Sequence, residues 1–126
     1  MAEKIDIEAS KNEDHNKLAV SDLNKRLHKI HQGGGEKRIA KQHEQGKMTA
    51  RERIDTLLDK GSPRIEVGAF AADGMYKEYG GAPSAGVVVV MGYVSKRQCI
   101  VVANDATVKA GAWFPMAGKK NLRAQE

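Results

Sequence analysis

The chain has 126 residues, the length of one ordinary domain, and its formal charge of +5 comes from 21 Lys and Arg set against 16 Asp and Glu. That charge suits an anionic partner without choosing one. The stretch Met1 to Ile7 lacks the long apolar core of a signal peptide, no segment is long enough to span a bilayer, and three Tyr, two Phe and one Trp argue against nucleic-acid binding by base stacking.

Residues 1 to about 13 are polar and charged and are expected to fray. Leu18, Val20, Leu23, Leu27 and Ile30 then recur at helical spacing, which predicts a helix with one apolar stripe that needs a partner surface. Gly33-Gly34-Gly35 should end it. A second, polar helix is expected from about Glu36 to Gln45, closed by Gly46. Thr49 and Glu52 stand at capping-box spacing, so a third helix should run from about Ala50 to Asp59 with Ile54, Leu57 and Leu58 on its apolar face. The basic residues between Lys25 and Arg53 alternate with Glu36, Glu44 and Glu52, the pattern of solvated helix faces.

Beyond Pro63 the pattern turns to short β-like runs. Ile65 and Val67 alternate with polar residues, Gly68 to Ala85 reads as a loop with at most a short strand, and Gly86–Val94 and Cys99–Ala103 read as strands joined by a turn at Ser95 to Gln98. Their continuous apolar character predicts burial on both faces. Cys99 has no partner for an internal disulfide, which points to a reducing, cytoplasmic setting, and it reads as a small buried hydrophobe.

The last quarter holds the candidate site. An apolar run from Ile100 closes at Asn104-Asp105, Ala110-Gly111-Ala112 lets backbone N–H groups approach a ligand, and Pro115 opens a helix whose free N–H groups would favour negative charge. Asp105 reads as a turn former, not a general base. His28 and His31 lie three apart, but nothing completes a metal site with them or with His15 and His43. Trp113 and Phe114 read as core or subunit-contact residues, and Lys119, Lys120 and Arg123 as a solvated helix face.

Two blocks of residues carry a resemblance. Val102 to Lys109 and Lys119 to Glu126 form one; Gly33 to Gly35, Gln42-His43, Gly46-Lys47, Arg51 to Asp55, Leu57 to Asp59, Gly61-Ser62 and Glu66 form the other. Together they resemble the carboxyltransferase (beta) subunit of biotin-dependent acyl-CoA carboxylases, nearest the methylcrotonyl-CoA and propionyl-CoA type. The resemblance implies an α/β fold: an N-terminal helical extension over residues 1–32, then over 33–126 the first strands of a crotonase-like (ββα superhelix) carboxyltransferase domain. That domain is much longer in the family, so the resemblance implies an N-terminal portion that is inactive alone.

The resemblance further implies transfer of a carboxyl group from carboxybiotin to an acyl-CoA, with developing charge on the thioester oxygen met by backbone N–H groups. By position the donors correspond to Gly111 and Ala112, and the CoA side of the turn to Thr107, Val108 and Lys109. The family more often has two glycines followed by Thr or Ser at 110–112, and a conformation that needs glycine at Ala110 should be closed to this chain. Implied partners are a biotin carboxylase and biotin carrier subunit and further copies in a beta hexamer, with no metal, nucleic acid or membrane. Two alternatives stand beside it: a decarboxylase subunit of the same superfamily, and a non-catalytic basic helical module serving assembly.

Overall fold

The computed structural model describes residues 2–126. Four α-helices, α1 (Ala2–His31), α2 (Glu36–Glu44), α3 (Ala50–Leu57) and α4 (Pro115–Gln125), surround three strands, β1 (Ile65–Val67), β2 (Val87–Val94) and β3 (Arg97–Asn104). The strands form one antiparallel sheet in chain order, with Val67 opposite Val89 and Val89 opposite Val102.

Strand β2 is the core. Val88 and Val90 face α3 and pack on Ala50, Ile54 and Leu58, while Val87 and Val89 face α4 and pack on Ala117 and Ala124. An apolar run without alternation is what a strand covered on both faces requires. The same expectation fails for β3. Val101 and Ala103 pack toward the α3 cluster, but Ile100 and Val102 point to the opposite side and are 51% and 42% exposed. Strand β3 lies at the sheet edge, and α4, packed on Val87 and Val89 with Val67 of β1 beside them, leaves Ile100 and Val102 partly uncovered.

The β2–β3 connection is tighter than the sequence suggests. Only Ser95 and Lys96 lie outside the strands, both with positive φ (50° and 65°), as a two-residue hairpin demands. Asp59 stabilises this turn, its carboxylate oxygens accepting from the Ser95 and Lys96 N–H groups at 2.8 and 2.7 Å. The Gly68 to Ala85 stretch contains turns and two short 3-10 segments and no strand.

Helix α1 runs further toward the N-terminus than its composition predicts, since the helix includes the segment expected to fray. Its apolar stripe is docked only at its C-terminal end: Ile30 is buried and Leu27 half-buried, whereas Leu18, Val20 and Leu23 are exposed. Three contacts hold that end. Arg26 pairs with Asp73 and sits 5.3 Å over the Phe70 ring, and His31 Nε2 lies 3.1 Å from Glu66 Oε2. Among the described residues, no helix is long and apolar enough to cross a membrane.

Helix α3 starts where its cap requires. Thr49 Oγ1 accepts from the Glu52 N–H and Glu52 Oε2 accepts from the Thr49 N–H, the reciprocal pair that satisfies two donors at once. The helix closes at Leu57, two residues earlier than its pattern suggests, because the Asp59 N–H bonds the Tyr93 carbonyl and pulls the chain toward the sheet.

Candidate functional site

Asp105 ends β3 and reverses the chain. Its N–H bonds the Gly86 carbonyl, while Oδ1 accepts from the Thr107 N–H at 2.9 Å and from the Thr107 hydroxyl at 2.5 Å. Both residues are buried. Asp105 is therefore the local turn former its position suggests, with its carboxylate occupied by Thr107.

Val108 is 1% exposed and packs with Ala72, Ala82 and Ala85, so it anchors the base of the turn, its N–H bonded to the Asp105 carbonyl at 3.0 Å. Above it the chain takes three left-handed residues in succession: Lys109 (φ 47°), Ala110 (φ 54°) and Gly111 (φ 82°). Ala110 thus adopts a conformation that favours glycine, contrary to the expectation that it would be closed to alanine. Alanine tolerates this region at a cost of roughly 1–2 kcal/mol, which the buried base can hold in place.

The crest of this turn faces solvent at Ala110 and Ala112. The Gly111 N–H closes a bond to the Val108 carbonyl and the Ala112 N–H one to the Lys109 carbonyl, each at 3.0 Å. Neither expected donor is idle, so donating to a ligand means sharing these bonds in three-centre form or exchanging them. Lys109 is half-buried, and its ammonium leans toward Gly80, 3.8 Å from where a β-carbon on that residue would stand. Beside the turn lies an open cavity of about 530 Å³, bordered by Lys47, Thr49 and Arg53 from the α2–α3 segment and by Asn104, Thr107 and Ala110. Its size is in the range that receives a small-molecule ligand.

The start of α4 differs from expectation. Pro115 has no N–H, the Met116 N–H donates to the Tyr76 hydroxyl at 3.3 Å, and the Ala117 N–H bonds Phe114 O. The helix terminus is closed by aromatic packing instead of standing open to an anion. Phe114 stacks on Tyr76 with ring centroids 4.4 Å apart, and exposed Trp113 donates from Nε1 to Asn104 Oδ1 at 3.1 Å.

Two groups beside the site were hidden in the sequence. Lys120 is not a solvated lysine: it is 7% exposed and donates to Ser84 O, Ser84 Oγ and Val87 O at 2.9, 2.7 and 2.5 Å. Burial pushes its ammonium down to about 8, partly opposed by Glu66. Its acceptors secure Ser84, Ala85 and Gly86, all at positive φ, and a β-carbon on Gly86 would touch the Val108 side chain. The second group is the glycine turn before α2. Gly34 N–H donates to Thr107 Oγ1 at 2.9 Å, and Arg38 donates from Nη1 to the Thr107 carbonyl at 3.2 Å. The glycines are legible as a helix stop, but what they approach is not.

Two of the four histidines pair with carboxylates, His31 with Glu66 and His43 with Glu52. Among the described residues, no group of three or more His, Cys, Asp or Glu is placed to hold a metal ion.

Residues 41–126, the sheet, the turn and α4 among them, match the carboxyl transferase domain model. The chain belongs to the carboxyl transferase domain family. It is 47% identical over 113 residues to the biotin-dependent 3-methylcrotonyl-coenzyme A carboxylase beta1 subunit of Mycobacterium tuberculosis, covering 90% of this chain and 21% of that protein. It is 42% identical over 112 residues to the methylmalonyl-CoA decarboxylase subunit alpha of Propionigenium modestum, covering 85% of this chain and 21% of that one. Among solved structures it superimposes on the transcarboxylase 12S hexamer with methylmalonyl-coenzyme A and methylmalonic acid bound, with a TM-score of 0.75, 37% identity, and coverage of 86% of this chain and 22% of that chain. The fold is the expected α/β arrangement, N-terminal helices followed by the first strands of a crotonase-like carboxyltransferase domain. The chain spans about a fifth of the length of the curated relatives it matches.

Proposed function

We propose that this chain forms the acyl-CoA side of the carboxyltransferase site in a biotin-dependent acyl-CoA carboxylase beta subunit, of the 3-methylcrotonyl-CoA type. The observation that carries the reading is the turn after β3, whose buried base (Asp105, Thr107, Val108) holds an exposed crest of small residues beside the 530 Å³ cavity. Small residues with backbone N–H groups suit a thioester oxygen, where charge develops as the α-carbon is activated. In this reading Gly111 and Ala112 donate to that oxygen, sharing the N–H groups that now close the turn. Thr107 and Val108 shape the wall beneath the ligand through their backbone, and Lys109 meets a phosphate or ribose oxygen of CoA.

Carboxybiotin, carried by a partner subunit, supplies the carboxyl group when bound; the residues assigned in this chain all lie on the acyl-CoA side. A beta hexamer is the proposed assembly, since the similar transcarboxylase 12S is a hexamer, and a reducing cytoplasm is the proposed setting for the free thiol of Cys99.

A second reading is favoured by the methylmalonyl-CoA decarboxylase relative, similar over the same segment. There the same turn would stabilise the same enolate, formed by loss of the carboxyl group. The test is a labelled-bicarbonate assay on the full-length subunit as its cell makes it, assembled with its biotin-bearing partner. Label entering 3-methylcrotonyl-CoA with ATP present is expected. Carboxyl release from an acyl-CoA without ATP-driven fixation would favour the decarboxylase, and neither reaction would sink both readings.

A further inference from the structure

We propose that the turn between α1 and α2, with Arg38, is the positioning element that sets the geometry of the 105–112 turn, an inference that rests on the carboxyltransferase reading. Thr107 is where the two segments meet. Its hydroxyl donates to Asp105 and accepts from the Gly34 N–H, and its carbonyl accepts from Arg38. With its N–H also on Asp105, every polar group of Thr107 has a partner, two of them supplied by residues 34–38.

The approach is backbone to backbone. A β-carbon on Gly34 would overlap the Thr107 carbonyl, and one on Gly33, itself at φ 51°, would stand 2.5 Å from Asp105 Oδ2 and 2.8 Å from Thr107 Oγ1. Glycine at both positions therefore does more than end a helix: it lets this backbone seat against the site turn. The seat itself is fixed, because Arg26 with Asp73 and His31 with Glu66 tie the end of α1 to the rest of the domain.

The consequence for the donors follows from the chain. Arg38 fixes the direction of the Thr107 carbonyl and hence the plane of the 107–108 peptide, while burial fixes the Val108 side chain. The Val108 carbonyl, so oriented, is the acceptor that holds the Gly111 N–H. Two covalently linked residues, Thr107 and Val108, and one hydrogen bond to Gly111 thus convert a contact at Arg38 into the direction of the proposed oxyanion donor.

Arg38 lies on an exposed face of α2, so Arg38→Ala and Arg38→Lys are made in the full-length subunit assembled with its partners. Arg38→Ala is expected to raise the acyl-CoA KM and lower kcat, with kcat/KM falling about 10- to 100-fold, the scale of a small misplacement of reacting groups. The carboxybiotin KM should not move, and Arg38→Lys, which keeps a donor, should recover most of the loss. Hydrogen exchange should quicken in residues 105–112 and remain unchanged in β2. Acyl-CoA kinetics within twofold of the parent, or exchange that quickens equally across β2 and β3, overturns the proposal. A parent protein inactive on every acyl-CoA would instead overturn the carboxyltransferase reading, and the exchange pattern would still decide whether Arg38 orders this turn.

Discussion

Lys120 Nζ lies 2.7 Å from Ser84 Oγ and also reaches the carbonyls of Ser84 and Val87, so one ammonium from α4 ties together three acceptors at the entrance to β2. The backbone there is strained, with Ser84 and Ala85 both left-handed. Lys120→Met keeps the aliphatic stem but removes the charged donor, leaving the Ser84 carbonyl with only the Val87 N–H and the Val87 carbonyl with only the long 3.4 Å bond from the Ser84 hydroxyl. Stability should fall by about 1–3 kcal/mol at pH 7, the scale of hydrogen bonds made by a charged donor. Urea denaturation of the two proteins measures it, and a change below about 0.5 kcal/mol would show that the ammonium is not needed to hold the turn.

The same lysine should give stability an alkaline dependence. Its folded pKa is about 8 against an ordinary 10.5, chiefly through burial, so between these values the unfolded chain holds the proton more tightly. The contribution from this group therefore rises with pH from about 8 to 10.5 and is flat below. NMR of the Lys120 side chain should show a midpoint near 8, and a midpoint above 10 would mean that the three oxygens outweigh desolvation.

How much of this was legible divides along a physical line. The α3 capping box, the buried β2 and the turn joining β2 to β3 follow from local signals, because Thr49, Glu52 and the valine run act on their own neighbours. Strand β3 misled because an apolar run does not say whether both its faces find partners; Ile100 and Val102 remain exposed. Lys120 misled for the opposite reason. It sits beside Lys119 and one turn from Arg123 with no local mark of burial, and its acceptors are 33 and 36 residues away. Left-handed Ala110 also lay beyond local rules, since its conformation is imposed by the buried residues below it.

Glu66 offers a second titration of opposite sign. Half-burial pushes its carboxyl up, but the two-point grip of Arg51 at 2.9 Å and the nearby His31 outweigh it, and the net position lies below the usual range. Its stabilising contribution is complete above the unfolded carboxyl value and is lost as pH falls through the folded one. Glu66→Gln should cost about 1–2 kcal/mol at neutral pH, a value between those of exposed and buried pairs. The loss should shrink in acid. Because Glu66 raises the Lys120 value, the substitution should also shift the Lys120 midpoint below 8. An unmoved midpoint would show that the two groups are uncoupled.

The crest of the site turn gives the most direct check on its conformation. Ala110 stands at φ 54° and ψ 27°, where glycine is at ease and a β-branched side chain is not. Ala110→Gly relieves the strain but loosens the unfolded chain by a similar amount, so stability should change by no more than about 0.5 kcal/mol. Ala110→Val should cost about 1–3 kcal/mol, or force the turn to rearrange. Since Ala110 links Lys109 to Gly111, a rearranged turn would also misdirect the proposed donors. The glycine variant should therefore keep acyl-CoA kcat/KM within a few-fold of the parent, and the valine variant should lose 10-fold or more. Equal behaviour of the two variants in denaturation and kinetics would mean that residue 110 is not left-handed in the working protein.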